Sequence, residues 1–217
     1  MKRLEGIVSL IKPTESIVDI GSDHGYIAKM IADKKLAPRI YVTDVAVGPL
    51  SRARENLRDY CVETLLMDGL KGFKEDLDAA VVAGMGGELI IKIIDESEAL
   101  FSQMDYFILQ PMQQISYLRR AMYERNYFLW EELLTFEDRF YEVLLYKKGR
   151  DTPYDFEYSK GLYSDKELYS DYLKEKQMKL HYILDVTKNT DLTRNKEVQL
   201  LLERLETHCK NNGIMLL

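Results

Sequence analysis

The sequence predicts an α/β domain built on a parallel sheet that finishes in an antiparallel hairpin, followed by a C-terminal helical, coiled-coil-like hairpin. Three observations predict it. From Ser16 to about Tyr146, short continuous apolar runs alternate with amphipathic segments, and strands of that kind, buried on both faces and separated by helices, belong to parallel sheets. After residue 125, two β-rich runs follow one another with no room for a crossover helix, so they must pair antiparallel. Beyond about residue 160, two apolar stripes recur at helical spacing.

Taken in order, Ser16–Ile20 (SIVDI) is the first strand, GSDHG a turn, and Tyr26–Lys35 a helix. Arg39–Asp44 (RIYVTD) is the second strand, and Gly48–Tyr60 a polar-faced helix in which Leu50, Ala53 and Leu57 share a face. Val62–Met67 and Asp78–Ala83 are the third and fourth strands, the latter running into GMGG. A helix over Glu88–Glu98, a fifth strand over Asp105–Gln110 and a helix over Ile115–Arg125 follow. Tyr127–Thr135 and Arg139–Lys147, joined by FED, form the hairpin. Lys148–Lys160 is polar and turn-rich and reads as a linker, dividing a domain over residues 1–150 from a helical hairpin over 151–217. In that hairpin Leu173, Leu180, Ile183 and Leu184 mark one stripe, and Val198, Leu201, Leu202 and Leu205 the other. Between them KNTDLT stops one helix and starts the next, with Asp191 or Thr193 as the N-cap.

The bulk numbers narrow the class of protein. The chain has 217 residues, 46% of them hydrophobic and 30% charged, the balance of a globular protein. No run approaches the roughly 18 apolar residues of a membrane span, and MKRLEGIVSLIKPTE offers no small-residue cleavage site for a signal peptide. Cys61 and Cys209 lie in unrelated contexts and read as reduced thiols, so a cytoplasmic protein is expected. A net charge of −6 argues against binding nucleic acid through the whole surface. An RNA partner would need local basic faces. The candidates are Arg119, Arg120 and Arg125 on one helix, Lys147, Lys148 and Arg150 after the hairpin, and Lys174, Lys176 and Lys179 near the C-terminus, although such clusters are more often solvated surface.

The chemistry concentrates at the ends of the strands. Asp19-Ile20-Gly21-Ser22-Asp23-His24-Gly25 joins the first strand to the first helix, where glycines let the backbone approach a ligand. The dinucleotide fingerprint is absent, because the position two after Gly21 is Asp23. An acid there suits a cation better than a pyrophosphate, and the ammonium and sulfonium of S-adenosylmethionine form such a ligand. Asp44 closes the second strand, where a carboxylate can accept from both ribose hydroxyls. Asp68-Gly69 follows the third, in reach of an adenine amine, and Ala83–Gly87 (AGMGG) ends the fourth. Each acid alone could be only a turn or helix cap. Together, in register with the strands, they converge where α/β sheets bind ligands.

DIGSDHGY, the TD closing the second strand with GPLSRARENL after it, DGL, VVAGMGGELI, ILQPM and FEDRFYEV occur in one order. Jointly, and over the whole chain, they closely resemble the bacterial tRNA (adenine-22-N1)-methyltransferase family. The resemblance implies a Rossmann-like class I methyltransferase domain with S-adenosylmethionine as cofactor and tRNA as partner; no metal and no membrane are expected, and the sequence does not give the oligomeric state, for which a monomer is the expectation. It implies that Asp19, Gly21, Ser22, Asp23, His24 and Gly25 shape the cofactor loop. Asp44 would hold the ribose, Asp68 and Gly69 the adenine, and Ala83 and Gly84 the methyl-bearing end. Asp23, Met85 and Gly86 would stand nearest the reacting atoms, with Gly87, Gln110, Pro111 and Met112 on the same rim. Tyr26 is a stacking candidate for the target base, and Lys2 and Arg3 would contact RNA. The AGMGG segment departs from the Asn/Asp-Pro-Pro-Tyr/Phe motif of amino-group methylases. N1 of neutral adenine carries its own lone pair, so no strong general base is required. Two other readings stay open: a small-molecule methyltransferase of the same fold, and a non-catalytic cofactor- or RNA-binding module.

Overall fold

A computed structural model describes residues 2–161 and 163–216. The chain forms two compact units, Met1–Leu162 and Tyr163–Leu217. The first contains, in order, α1 (Arg3–Ser9), β1 (Ser16–Ile20), α2 (Tyr26–Asp33), β2 (Arg39–Asp44), α3 (Val47–Asn56), β3 (Val62–Leu66) and β4 (Ala79–Gly86). It continues with α4 (Gly87–Glu96), α5 (Glu98–Phe101), β5 (Tyr106–Gln113), α6 (Ile115–Glu124), β6 (Tyr127–Phe136) and β7 (Phe140–Lys148). The second unit is α7 (Lys166–Thr187) and α8 (Leu192–Asn211).

One seven-stranded sheet runs β3-β2-β1-β4-β5-β7-β6. The first five strands are parallel, with Ile17 opposite both Ile40 and Ala79, and Ala79 opposite Tyr106. The last two are antiparallel, and β7 inserts between β5 and β6. Alternate side chains point to opposite faces of a strand, so the continuous apolar runs feed two cores. Val18, Ile20, Ala80, Val82, Phe107 and Leu109 pack with buried residues of α4 and α6. Ile17, Val42, Val81, Ile108, Val143 and Leu145 pack with α1, α2 and α3.

The structure departs from the sequence reading in five places. β4 continues through the glycine segment to Gly86 rather than stopping at Ala83, with irregular register at Ala83, Met85 and Gly86 against β5. The expected helix over Glu88–Glu98 breaks at Ser97 into α4 and α5. α1 was not anticipated, because RLEGIVS is too short to show a period and carries a glycine. Gly6 is there for space: a Cβ would lie 2.3 Å from Cγ2 of Thr135, so a side chain would push the helix off β6. Lys148–Lys160 is no loose linker either. Tyr158 is buried, and Glu132 accepts from the Ser159 hydroxyl at 3.0 Å and the Lys160 N–H at 2.7 Å.

The fifth departure is Arg119, which the spacing of charges put on a basic surface. It is 1% exposed, and its Nη2 donates to Glu132 at 2.5 Å and Glu142 at 2.6 Å, so α6 is locked to β6 and β7 by a buried ion cluster. Arg125, from the same proposed patch, forms a two-pronged pair with Asp95.

In the second unit Asp165 caps α7 through the Leu168 N–H, and Asp191, not Thr193, caps α8 through the Arg194 N–H, both at 2.9 Å. Tyr169, Leu173, Gln177 and Leu180 are buried along α7, and Val198, Leu202, Leu205 and Cys209 along α8. Among the described residues no helix is long and apolar enough to cross a membrane.

Candidate active site

A cavity of about 780 Å³ opens beyond the carboxyl ends of β1 and β4, where an open α/β sheet places its ligands. Its walls come from α1, the β1–α2 turn, the first turns of α2, the end of β4, Met112 of β5, and Glu137 and Tyr141 of the β6–β7 hairpin.

The most buried polar residue in its wall is Asp19, one residue before the end of β1. Its side chain lines the cavity, is 2% exposed, and leaves Oδ2 with no partner among the described residues. Burial pushes its pKa up to about 6, against the opposing pull of Ser22 and the Ala28 backbone, and the nearby Asp44 adds to the rise. A buried carboxylate left partly unserved favours a cationic ligand. Asp23 differs, although it lies only a turn further along the chain. It is exposed on the rim and paired with Arg52, which holds its pKa low, with His24 Nε2 at 3.2 Å from its other oxygen. The ring of His24 stacks on Tyr26 at 5.2 Å. Ser22 Oγ accepts from the Gly25 N–H at 3.2 Å and so closes the turn.

Gly21 has φ +73°, and a Cβ there would lie 2.0 Å from Cε of Met85. Gly21→Ala is therefore expected to cost about 1–2 kcal/mol from the left-handed backbone alone, plus the displacement of Met85. Thermal unfolding checks this. Combining it with Met85→Ala should recover the contact cost but not the backbone cost, so full additivity of the two losses would refute the assignment.

Asp44 is buried at the end of β2, its Oδ1 accepting from the Ala46 N–H at 2.7 Å. Asp68 is exposed after β3, where Lys71 binds it at 2.6 Å and lowers its pKa. Gln110 is fully buried. Its Nε2 donates to the Pro111 carbonyl at 2.8 Å, which turns Oε1 toward Arg3, whose Nη1 donates to it at 3.0 Å.

The cavity thus gathers Lys2, Arg3, Asp19, Gly21, Ser22, Asp23, His24, Tyr26, Ala83 and Gly84. Gly25, Asp44, Asp68, Gly69, Met85, Gly86, Gly87, Gln110 and Pro111 do not line it. Met85 packs behind Gly21, Gly86 and Gly87 abut Gln113 and Gln114, and Gln110 stands behind Arg3. Glu137 and Tyr141 went unassigned in the sequence. Their only signal was the FEDRFYEV segment, which carried resemblance but no role.

Five parallel strands, an inserted antiparallel strand and an unserved acid at the end of β1 together define a methyltransferase of the Rossmann-like class. A family model described as a methyltransferase domain matches residues 1–144. The tRNA (adenine(22)-N(1))-methyltransferase of Bacillus subtilis (strain 168) is 30% identical over 161 residues, 71% of this chain and 68% of that protein. The chain belongs to the tRNA (adenine(22)-N(1))-methyltransferase family. Solved structures with the same fold include M. capricolum TrmK in complex with S-adenosyl-homocysteine, at TM-score 0.84 and 22% identity over 95% of this chain and 96% of that one. The B. subtilis M1A22 tRNA methyltransferase TrmK aligns at TM-score 0.77 and 23% identity, over 95% and 97%.

Proposed function

We propose that this protein transfers a methyl group from S-adenosylmethionine to N1 of an adenine in tRNA, the activity named for its B. subtilis relative. The observation that carries the reading is Asp19, a buried acid in the wall of the cavity with one oxygen unpartnered among the described residues. It fits the ammonium of the cofactor's methionine moiety, and Asp44, at the end of β2 just outside the cavity wall, is the acid placed for the ribose. When bound, the cofactor supplies an electrophilic methyl group on a sulfonium.

The side chains then bind, orient and exclude water. N1 of adenine brings its own lone pair, so the protein needs no strong base, and rate comes from alignment in a sheltered site. Because N1 lies on the Watson–Crick edge, the target base must leave any pairing, at a cost of roughly a few kcal/mol. Tyr26, half exposed and backed by His24, offers a face for that base. Asp23, already neutralised by Arg52, orders the turn rather than reaching the base. Residues 1–150 carry this chemistry in our reading, and the helical appendage is α7 and α8, within the unit Tyr163–Leu217. A tRNA substrate and two free cysteines accord with the cytoplasm.

Incubation of unmodified tRNA with the protein and cofactor, followed by mass-spectrometric mapping, should yield a single N1-methyladenosine. Methylation elsewhere on the base, or methylation of a metabolite pool in preference to tRNA, would overturn the reading. Asp44→Ala should weaken cofactor binding by about 10- to 100-fold, as expected for charge-assisted hydrogen bonds of about 1.5–3 kcal/mol, and leave RNA binding intact. Calorimetric titration reads both.

A further inference from the structure

Tyr141 carries two arginines. The guanidinium of Arg3, from α1, lies 5.6 Å from its ring centroid, and that of Arg139, from the tip of the β6–β7 hairpin, 5.1 Å. Tyr141 itself is only 8% exposed. Both arginines are also held at one edge. Arg3 Nη1 donates to the buried amide of Gln110, and Arg139 Nη2 reaches Met112 Sδ at 3.7 Å, the sulfur that Gln110 Nε2 also meets at 3.6 Å. A continuous chain of contacts, Arg3–Gln110–Met112–Arg139, therefore fixes two guanidiniums beside the mouth of the cavity.

Neither arginine makes an ion pair among the described residues, although Arg52, Arg119, Arg125 and Arg194 all do. Carboxylates are close by but turned to other donors, and Asp138 attracts Arg139 through space without pairing with it. Glu5 accepts from the Lys2 N–H at 3.2 Å, Glu137 from the Arg3 backbone N–H at 3.3 Å, and Asp138 from the Tyr141 hydroxyl at 2.6 Å. In a chain of net charge −6, two guanidiniums that no carboxylate pairs with among the described residues, Arg3 in the cavity wall and Arg139 against the wall residues Met112 and Tyr141, suit an external anion. A planar fork of N–H donors matches the oxygens of a phosphate.

We infer that Arg3 and Arg139 clamp the phosphodiester adjoining the target adenosine. This rests on the tRNA reading above and names the substrate contact at the same site. A base swung into the cavity leaves its own backbone at the mouth, which is where the two arginines stand. Tyr141 and Gln110 are positioning residues that hold the pair in place.

The test uses the full chain with Arg3→Gln, Arg139→Gln and the double variant. Each substitution should lower the slope of log affinity for tRNA against log salt by about 0.7–0.9 and raise KM for tRNA by roughly tenfold, as expected for one charge-assisted bond. The dissociation constant for S-adenosylmethionine should hold in Arg139→Gln, because Arg139 does not line the cavity. Arg139→Lys should keep the salt slope and recover only part of the KM, because it retains charge without the fork. Arg58→Gln, a surface cation paired with Glu55, should leave the slope unchanged. A tRNA fragment with a neutral methylphosphonate at the linkages flanking the target adenosine should bind the wild type about tenfold more weakly, and the double variant no more weakly than the native linkage. Wild-type slopes in both single variants, or equal sensitivity of wild type and double variant to the neutral linkage, would overturn the clamp. If the wild type binds tRNA but methylates nothing, the enzymatic reading fails while the slopes still decide the clamp.

Discussion

Asp19→Asn is expected to weaken S-adenosylmethionine binding by about 10- to 100-fold while making the ligand-free protein more stable. The two effects share a cause. Burial raises the Asp19 pKa from 3.8 to about 6, and a rise of about two units corresponds to roughly 3 kcal/mol between the protonation states. A folded-state pKa above the unfolded one means that the protonated acid is the form that suits the fold. Its stabilising contribution is whole below about pH 4, falls as pH rises toward 6, and is gone above that. Asparagine removes this pH dependence, so near neutrality the variant should gain up to about 3 kcal/mol in the ligand-free state. A bound ammonium reverses the preference by favouring the carboxylate. Cofactor affinity of the wild type should therefore drop as pH falls below about 6, while that of Asp19→Asn stays flat. Calorimetric titration from about pH 5 to about pH 8, a window that brackets the Asp19 value of about 6 and lies above ordinary carboxylates, with melting curves alongside, checks both. Unchanged affinity in the variant would remove Asp19 from the site.

Arg119→Met should be among the most damaging single substitutions in the first unit. It removes the cation that Glu132 and Glu142 share while both stay buried. Removing one partner from such a cluster costs about 3–5 kcal/mol, which for a unit of this size lowers the melting temperature by roughly 10 °C or more. Burial already raises the Glu132 pKa even with Arg119 present, and Glu142 adds to it. The informative control is the triple variant Arg119→Met, Glu132→Gln, Glu142→Gln. It discards all the charges and should recover much of the loss, because an uncharged buried cluster avoids the desolvation of ions. If Arg119→Met melts like the wild type, the cluster contributes no stability.

Arg119 also shows where sequence reading stops. Its neighbours in the chain, Arg120 and Arg125, suggest a basic helix face, but its burial depends on two glutamates from a hairpin that folds back over α6. The strands were legible for the opposite reason, since SIVDI, RIYVTD and DYFILQ each declare double-sided burial within a few residues. The turn after β1 was legible as a ligand loop, and the acids on either side of Gly21 were not distinguishable. Asp19 and Asp23 lie four residues apart, and only the packed sheet makes one a buried, unserved carboxylate and the other an exposed partner of Arg52. The end of β4 was placed too early because glycines carry no β signal, while pairing with β5 extends the strand through them. Tyr141 and Arg139 were hidden because the cavity borrows its far wall from the antiparallel end of the sheet, a long-range arrangement that no local pattern encodes.

The insertion of β7 between β5 and β6 sets an order on assembly. While the chain is being synthesised, β5 and β6 are both complete before the strand that separates them exists. Until Lys148 has emerged, one border of β5 offers a row of unpaired backbone groups, the kind of template that other extended chains join. The same strand that builds the far wall of the cavity is thus the piece that seals the nascent sheet against self-association, and a ribosome-stalled product ending at the hairpin tip would lack both.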